Sequence, residues 1–150
     1  MAYVSLDSDQ IKKAHKKHKY TKEQVLQLEQ CMDPKNGPLY FMKTFMKIQH
    51  PTKGEMPFKP YAYQERLIES YNNHRFSIAM LPRQTGKTTC ASGFLIWYAM
   101  FRPDSQILIA AHKYAGASDI MSRVRYAYEM LPAWIKAGVT QYNRNSIEFD

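Results

Sequence analysis

Gly86, Lys87, Thr88 and Thr89 stand together in LPRQTGKTTC, residues 81–90, and their types suit one kind of chemistry. Glycine tolerates the positive φ or the close approach that a tight loop requires. A lysine just behind it can carry its ammonium to the β and γ oxygens of a nucleotide, and a threonine hydroxyl can take one position on Mg²⁺. The spacing fits the end of the phosphate-binding pattern G-x-x-x-x-G-K-[ST], yet Leu81 stands where the first glycine belongs. Arg83 adds a second fixed cation inside the loop, able to stabilise the charge that develops in γ-phosphoryl transfer. The competing reading is a chance G-K-T-T with Arg83 as an ordinary surface residue.

Such a loop binds phosphate only if a strand leads into it and a helix leaves it, because the helix N-terminus supplies the inward N–H groups. RFSIAML, 75–81, reads as that strand, with Phe76, Ile78 and Met80 on one side and Ser77, Ala79 and Leu81 on the other. Residues 87–101 read as a helix that is apolar nearly all round, as burial against a sheet requires. Upstream, YAYQERLIESYNN, 61–73, predicts a helix whose apolar stripe Leu67, Ile68 and Tyr71 also includes Gln64. A buried amide needs partners. Gln64 either pairs with the N6/N7 edge of an adenine, with Tyr63 stacked on the base, or hydrogen-bonds to nearby backbone.

Downstream, 105–112 reads as a strand, 116–131 as a helix, and 139–142 and 146–150 as two short strands joined by a turn at 143–145. Strand, helix, strand, helix, strand predicts an α/β domain: a parallel sheet with right-handed crossovers, flanked by helices.

The first fifty-six residues differ. KKAHKKHK, 12–19, is a basic run, either a solvated segment or a nucleic-acid contact. Thr21 and Gln24 have the spacing of a capping box opening a short helix. DPKNGP, 33–38, interrupts the chain, and 38–48 predicts a second helix with Tyr40, Phe41, Phe45 and Ile48 on its apolar face. Residues 50–60 read as a linker dense in turn formers. The expected organisation is therefore a helical extension and linker over 1–56 and a nucleotide-binding domain over 57–150.

Composition sets the outer limits. With 150 residues, 45% of them hydrophobic and 23% charged, the chain can bury a core and does not look disordered. The net charge of +8 favours a polyanionic partner. Residues 1–10 hold no apolar stretch of the signal-peptide kind, and no apolar run is long enough to span a bilayer, so a non-secreted protein without membrane association is expected. The two cysteines, Cys31 and Cys90, are expected to be reduced thiols, and the five histidines show no metal-ligand spacing.

YAYQERLIES, RFSIAMLPRQTGKTT and the stretch from ILIAAH to Asp150 together resemble the N-terminal ATPase region of the large terminase subunit of tailed bacteriophages. The likeness covers about 57–150 and keeps three segments in order and spacing. The resemblance implies a P-loop NTPase fold of the ASCE, RecA/helicase-like kind, and a motor that packages double-stranded DNA into proheads. It explains the absent glycine, since the family writes this loop with arginine and glutamine before the second glycine, as Arg83, Gln84 and Gly86 do here. It implies ATP held by Pro82, Arg83, Gln84, Thr85, Gly86, Lys87 and Thr88, Mg²⁺ on Thr88, and catalytic roles for Arg83 and Lys87. It further implies adenine recognition by Gln64 beside Tyr63. Implied partners are double-stranded DNA, the portal protein and the small terminase subunit, in a homo-oligomeric ring, with the host cytoplasm as location. Ala111, His112 and Lys113 match a segment near the coupling or DNA surface of related motors, and a plain strand end is the alternative.

One part of the pattern is not found. ATP hydrolysis in this class needs an apolar strand ending in an acidic pair, and no acid after the loop follows four apolar residues. Glu148 and Asp150 alternate with Ile147 and Phe149, as in a half-buried strand. The sheet is therefore expected to be incomplete towards the C-terminus, and the chain is expected not to turn ATP over. A helicase of similar core and a non-catalytic module holding DNA or a partner subunit are the rival readings.

Overall fold

The computed structural model describes residues 10–50, 52 and 54–150. Helix α1 spans Lys22–Met32 and starts as expected: Thr21 Oγ1 accepts from Gln24 N, and the Gln24 side chain accepts from Thr21 N. Helix α2 spans Gly37–Phe45, shorter than expected, because the chain turns extended at Met46 and enters strand β1, Lys47–His50. β1 pairs antiparallel with β2, Gly54–Pro57, so the segment expected to be a linker contributes half of a hairpin. Pro51 and Lys53, within that segment, lie outside the described residues.

Helix α3, Ala62–Asn73, and helix α4, Lys87–Phe101, fall where the periodicity puts them. Helix α5 spans Tyr114–Glu129, and β3, Val139–Tyr142, pairs antiparallel with β4, Ile147–Phe149, through a bulge between Val139 and Gln141.

The core sits around α4. Its packing partners are α2, α3 and α5, and Trp97, fully buried, donates its indole N–H to the Cys31 carbonyl at 2.8 Å. That bond satisfies a carbonyl at the end of α1 that has no acceptor role inside the helix. Gly93 lets α4 approach the preceding segment: a Cβ there would stand 2.5 Å from both Met42 Cε and Met46 Sδ. Phe41, Met42 and Phe45 are the buried face of α2, while Tyr40 and Ile48 pack at its margin. The helices from the first fifty residues thus share one core with the later ones.

The described residues form a small α/β domain of five helices and two antiparallel two-stranded sheets. The expected parallel sheet is not formed among them, and 75–81 and 105–112 join no ladder. Both segments run beside α4: Ser77 lines a shallow cavity with Ala91, Phe94 and Leu95, and Ile107, Leu108 and Ile109 line a cavity of about 350 Å³ with Leu95, Ile96 and Val124. Phe76, Ile78, Met80 and Leu108 are 83%, 92%, 91% and 91% exposed, whereas Ala79, Leu81 and Ile109 are half-buried. The physical difference lies in how a strand finds its partner. A hairpin supplies it within a few residues, whereas a parallel strand depends on a neighbour delivered by a crossover.

Candidate functional site

The loop between 75–81 and α4 is held from three sides. Gly86 caps α4 in the left-handed region at φ 74°, and Gln84 also has a positive φ of 62°. Gly86 is needed twice over, since a Cβ there would lie 2.6 Å from Gln64 Nε2. Within the loop, Thr85 Oγ1 donates to the Pro82 carbonyl at 3.0 Å. Lys87 folds back so that Nζ donates to the Leu81 and Pro82 carbonyls, each at 3.0 Å.

Helix α3 holds the loop from outside. Gln64 is 6% exposed, and its amide Nε2 donates to the Thr85 carbonyl at 3.0 Å while its Oε1 accepts from Tyr61 N at 3.0 Å. The Tyr63 hydroxyl donates to the same Thr85 carbonyl at 2.9 Å, and its ring stacks on Tyr61, centroids 5.9 Å apart. Gln64 therefore ties the start of α3 to the loop, which is the local-backbone role its burial allowed. An amide has four hydrogen-bonding positions, so one donor and one acceptor remain after these contacts. Tyr61 is a member of the site that sequence reasoning missed. Its signal is the glutamine at the third helical position, which commonly reaches back to the N–H before the helix.

Tyr63, Gln64, Thr85 and Gly86 are thus brought together, as are Pro82 and Lys87. Arg83 and Gln84 are exposed, and Thr88 is half-buried on the first turn of α4. Among the described residues neither Arg83 nor Lys87 has a carboxylate partner, and Glu65, next to Gln64, is engaged with Lys43 at 2.7 Å. The loop therefore presents two uncompensated cations at a helix N-terminus, an arrangement that favours an anion. Behind it, burial raises the Cys90 thiol to about 11, which keeps it protonated and inert.

His112 and Lys113 are exposed at the start of α5, where Lys113 is the N-cap residue. No group of three His, Cys, Asp or Glu side chains among the described residues could hold a metal ion. Thr88 alone offers a hydroxyl, which suits Mg²⁺ only when phosphate oxygens and waters complete the shell. Asp150 and Glu148 are placed elsewhere: the Asp150 carboxylate accepts from His15 N at 2.6 Å, and Glu148 stands on β4 opposite Gln141. No helix among the described residues is long and apolar enough to cross a membrane.

A glycine-capped buried helix entered through a cationic loop defines the class of site. Residues 78–150 match the family described as terminase large subunit, T4likevirus-type, N-terminal. The matched stretch begins just before the loop and runs through α4, α5 and the β3–β4 hairpin, so the similarity to a terminase large-subunit N-terminal region covers the loop and the elements that follow it.

Proposed function

We propose that this chain is the ATP-binding part of a viral DNA-packaging motor. The observation that carries the reading is Lys87 at the mouth of α4. Its ammonium rests on two neutral loop carbonyls with no carboxylate partner among the described residues, and a phosphate would replace those carbonyls with charged oxygens and stronger hydrogen bonds. In this reading Pro82 to Thr88 wrap the phosphates, Thr88 meets Mg²⁺, and Arg83 is free to reach the γ-phosphate. Gln64 and Tyr63, already fixed to Thr85, would stand beside the base. The finer fold, a parallel P-loop NTPase sheet, belongs to the same proposal: 75–81 and 105–112, which run beside α4 without ladder partners, would be its strands. Double-stranded DNA, the portal and the small terminase subunit are the proposed partners.

The test is a titration of the chain with a fluorescent ATP analogue in the presence of Mg²⁺. Saturable binding that Lys87→Ala weakens about a hundredfold and Arg83→Ala also weakens is expected, without turnover, because no acid after the loop follows an apolar strand. Binding indifferent to both substitutions would sink the proposal. Hydrolysis lost on Lys87→Ala would overturn its non-catalytic part.

A further inference from the structure

The basic run 12–19 is not a loose segment over its first half. Ile11 is buried in the core, and 12–14 lie parallel beside β3, with Val139 N donating to the Lys12 carbonyl at 2.9 Å and Ala14 N to the Val139 carbonyl at 3.3 Å. Two lysines exchange contacts across this junction. Lys12 Nζ donates to the Lys136 carbonyl at 2.8 Å, and Lys136 Nζ donates to the Gln10 carbonyl at 2.7 Å. His15 then takes the left-handed conformation at φ 58°, which turns the chain away from β3. Asp150 holds that turn: its carboxylate accepts from His15 N at 2.6 Å and passes over Gly138, where a Cβ would stand 2.5 Å from Asp150 Oδ2.

Beyond the turn stand Lys16, Lys17, His18 and Lys19, all exposed. Among the described residues the three lysines have no carboxylate partner, although the chain ion-pairs Lys43, Lys47 and Arg123 elsewhere. A solvated charge run has no need of a fixed origin. This one starts from a β-bridge to Val139, a lysine exchange and a carboxylate-held turn.

We propose that Lys16, Lys17 and Lys19 form a positioned contact for the phosphodiester backbone of duplex DNA, set in place by the junction of 10–15 with 136–150. Charge complementarity gives the class of partner, and the choice of duplex DNA rests on the packaging function proposed above. Contacts of this kind are independent of base sequence and release counterions, so affinity falls steeply with salt.

The experiment measures anisotropy of a labelled DNA duplex against salt for the chain and two variants, with thermal midpoints recorded for each. K16A/K17A/K19A should bind at least about tenfold more weakly at low salt, with a log–log salt slope shallower by about 2.7, at roughly 0.9 per phosphate contact. Asp150→Ala separates position from charge. It removes a negative charge, so a run acting by charge alone would bind DNA more tightly, whereas a positioned contact binds more weakly once the turn is released. Weaker binding by Asp150→Ala with an unchanged thermal midpoint supports the inference. Equal or tighter binding overturns it, as does an unaltered slope in the triple variant. The two proposals fail separately. ATP binding without lysine-dependent DNA binding removes this one alone, and lysine-dependent DNA binding without ATP binding removes the nucleotide reading alone.

Discussion

Lys87 in the loop and Lys136 in the corner after α5 each place Nζ on two main-chain carbonyls, Lys87 on Leu81 and Pro82, Lys136 on Gln10 and Glu129. Their surroundings separate them. Lys136 is 5% exposed, with the Tyr128 ring 5.5 Å from its Nζ, and desolvation lowers its pKa. Lys87 is half-buried at the open end of a helix. The same pair of acceptors thus makes a structural cross-link where the cation is sealed in, and a recruitable charge where an anion can reach it. A lysine's contacts alone do not reveal its role; access does.

Substitution should split the two sites. Lys136→Met is expected to cost about 3 kcal/mol, since two buried carbonyls lose their donor while the relief of an ammonium's desolvation offsets only part. Urea unfolding measures it, and an unchanged midpoint would erase the distinction. Lys87→Ala should leave that midpoint within about 0.5 kcal/mol. It should instead weaken binding of the ATP analogue about a hundredfold, a loss of roughly 2.7 kcal/mol. Gly86→Ala tests whether the loop's shape matters as well as its charge. Forcing a side chain to the positive φ and against Gln64 should cost about 1–2 kcal/mol and weaken nucleotide binding, and a neutral result would show that the loop relaxes freely.

Alkaline pH sharpens the contrast further. Burial raises Cys31 to about 12 and Cys90 to about 11 from 9.0, so their neutral forms favour the fold. That contribution is complete below pH 9 and is lost as pH rises through the folded values. Lys136 acts in the opposite sense: its lowered pKa means the unfolded chain holds the proton longer, so its penalty fades as pH rises towards 10.5. Urea midpoints should therefore fall between about pH 9 and 12, more steeply in Lys136→Met than in the native chain, and less steeply in Cys90→Ala. Smallest of all, Ile78→Lys should change stability by less than about 0.5 kcal/mol, because that side chain is 92% exposed on an unladdered segment. A large loss would mean that 75–81 pairs in solution.

Much of this was legible in residue order. The capping box at Thr21, the stripe of Gln64, Leu67, Ile68 and Tyr71, the limits of α4 and the 139–149 hairpin are local patterns, and local patterns survive into the fold. The β1–β2 hairpin was hidden because Pro51, Gly54 and Pro57 resemble a linker, and a turn and a linker use the same residues. The parallel ladder, not formed among the described residues, is a different case. RFSIAML and ILIAAH carry the right alternation, but alternation specifies a pleated surface and says nothing of which main chain lies beside it.

By itself, the sequence determined the helices, the cationic glycine loop, the family likeness and the excess of positive charge, since each depends on neighbours a few residues apart. Tertiary structure decided what those residues are engaged with. It put Gln64 and Tyr63 on the Thr85 carbonyl, sealed Lys136 while leaving Lys87 open, and brought Asp150 to His15 across 135 residues of sequence. Burial and partnership are properties of the space around a side chain. Contacts between distant residues enter that space only when the core closes.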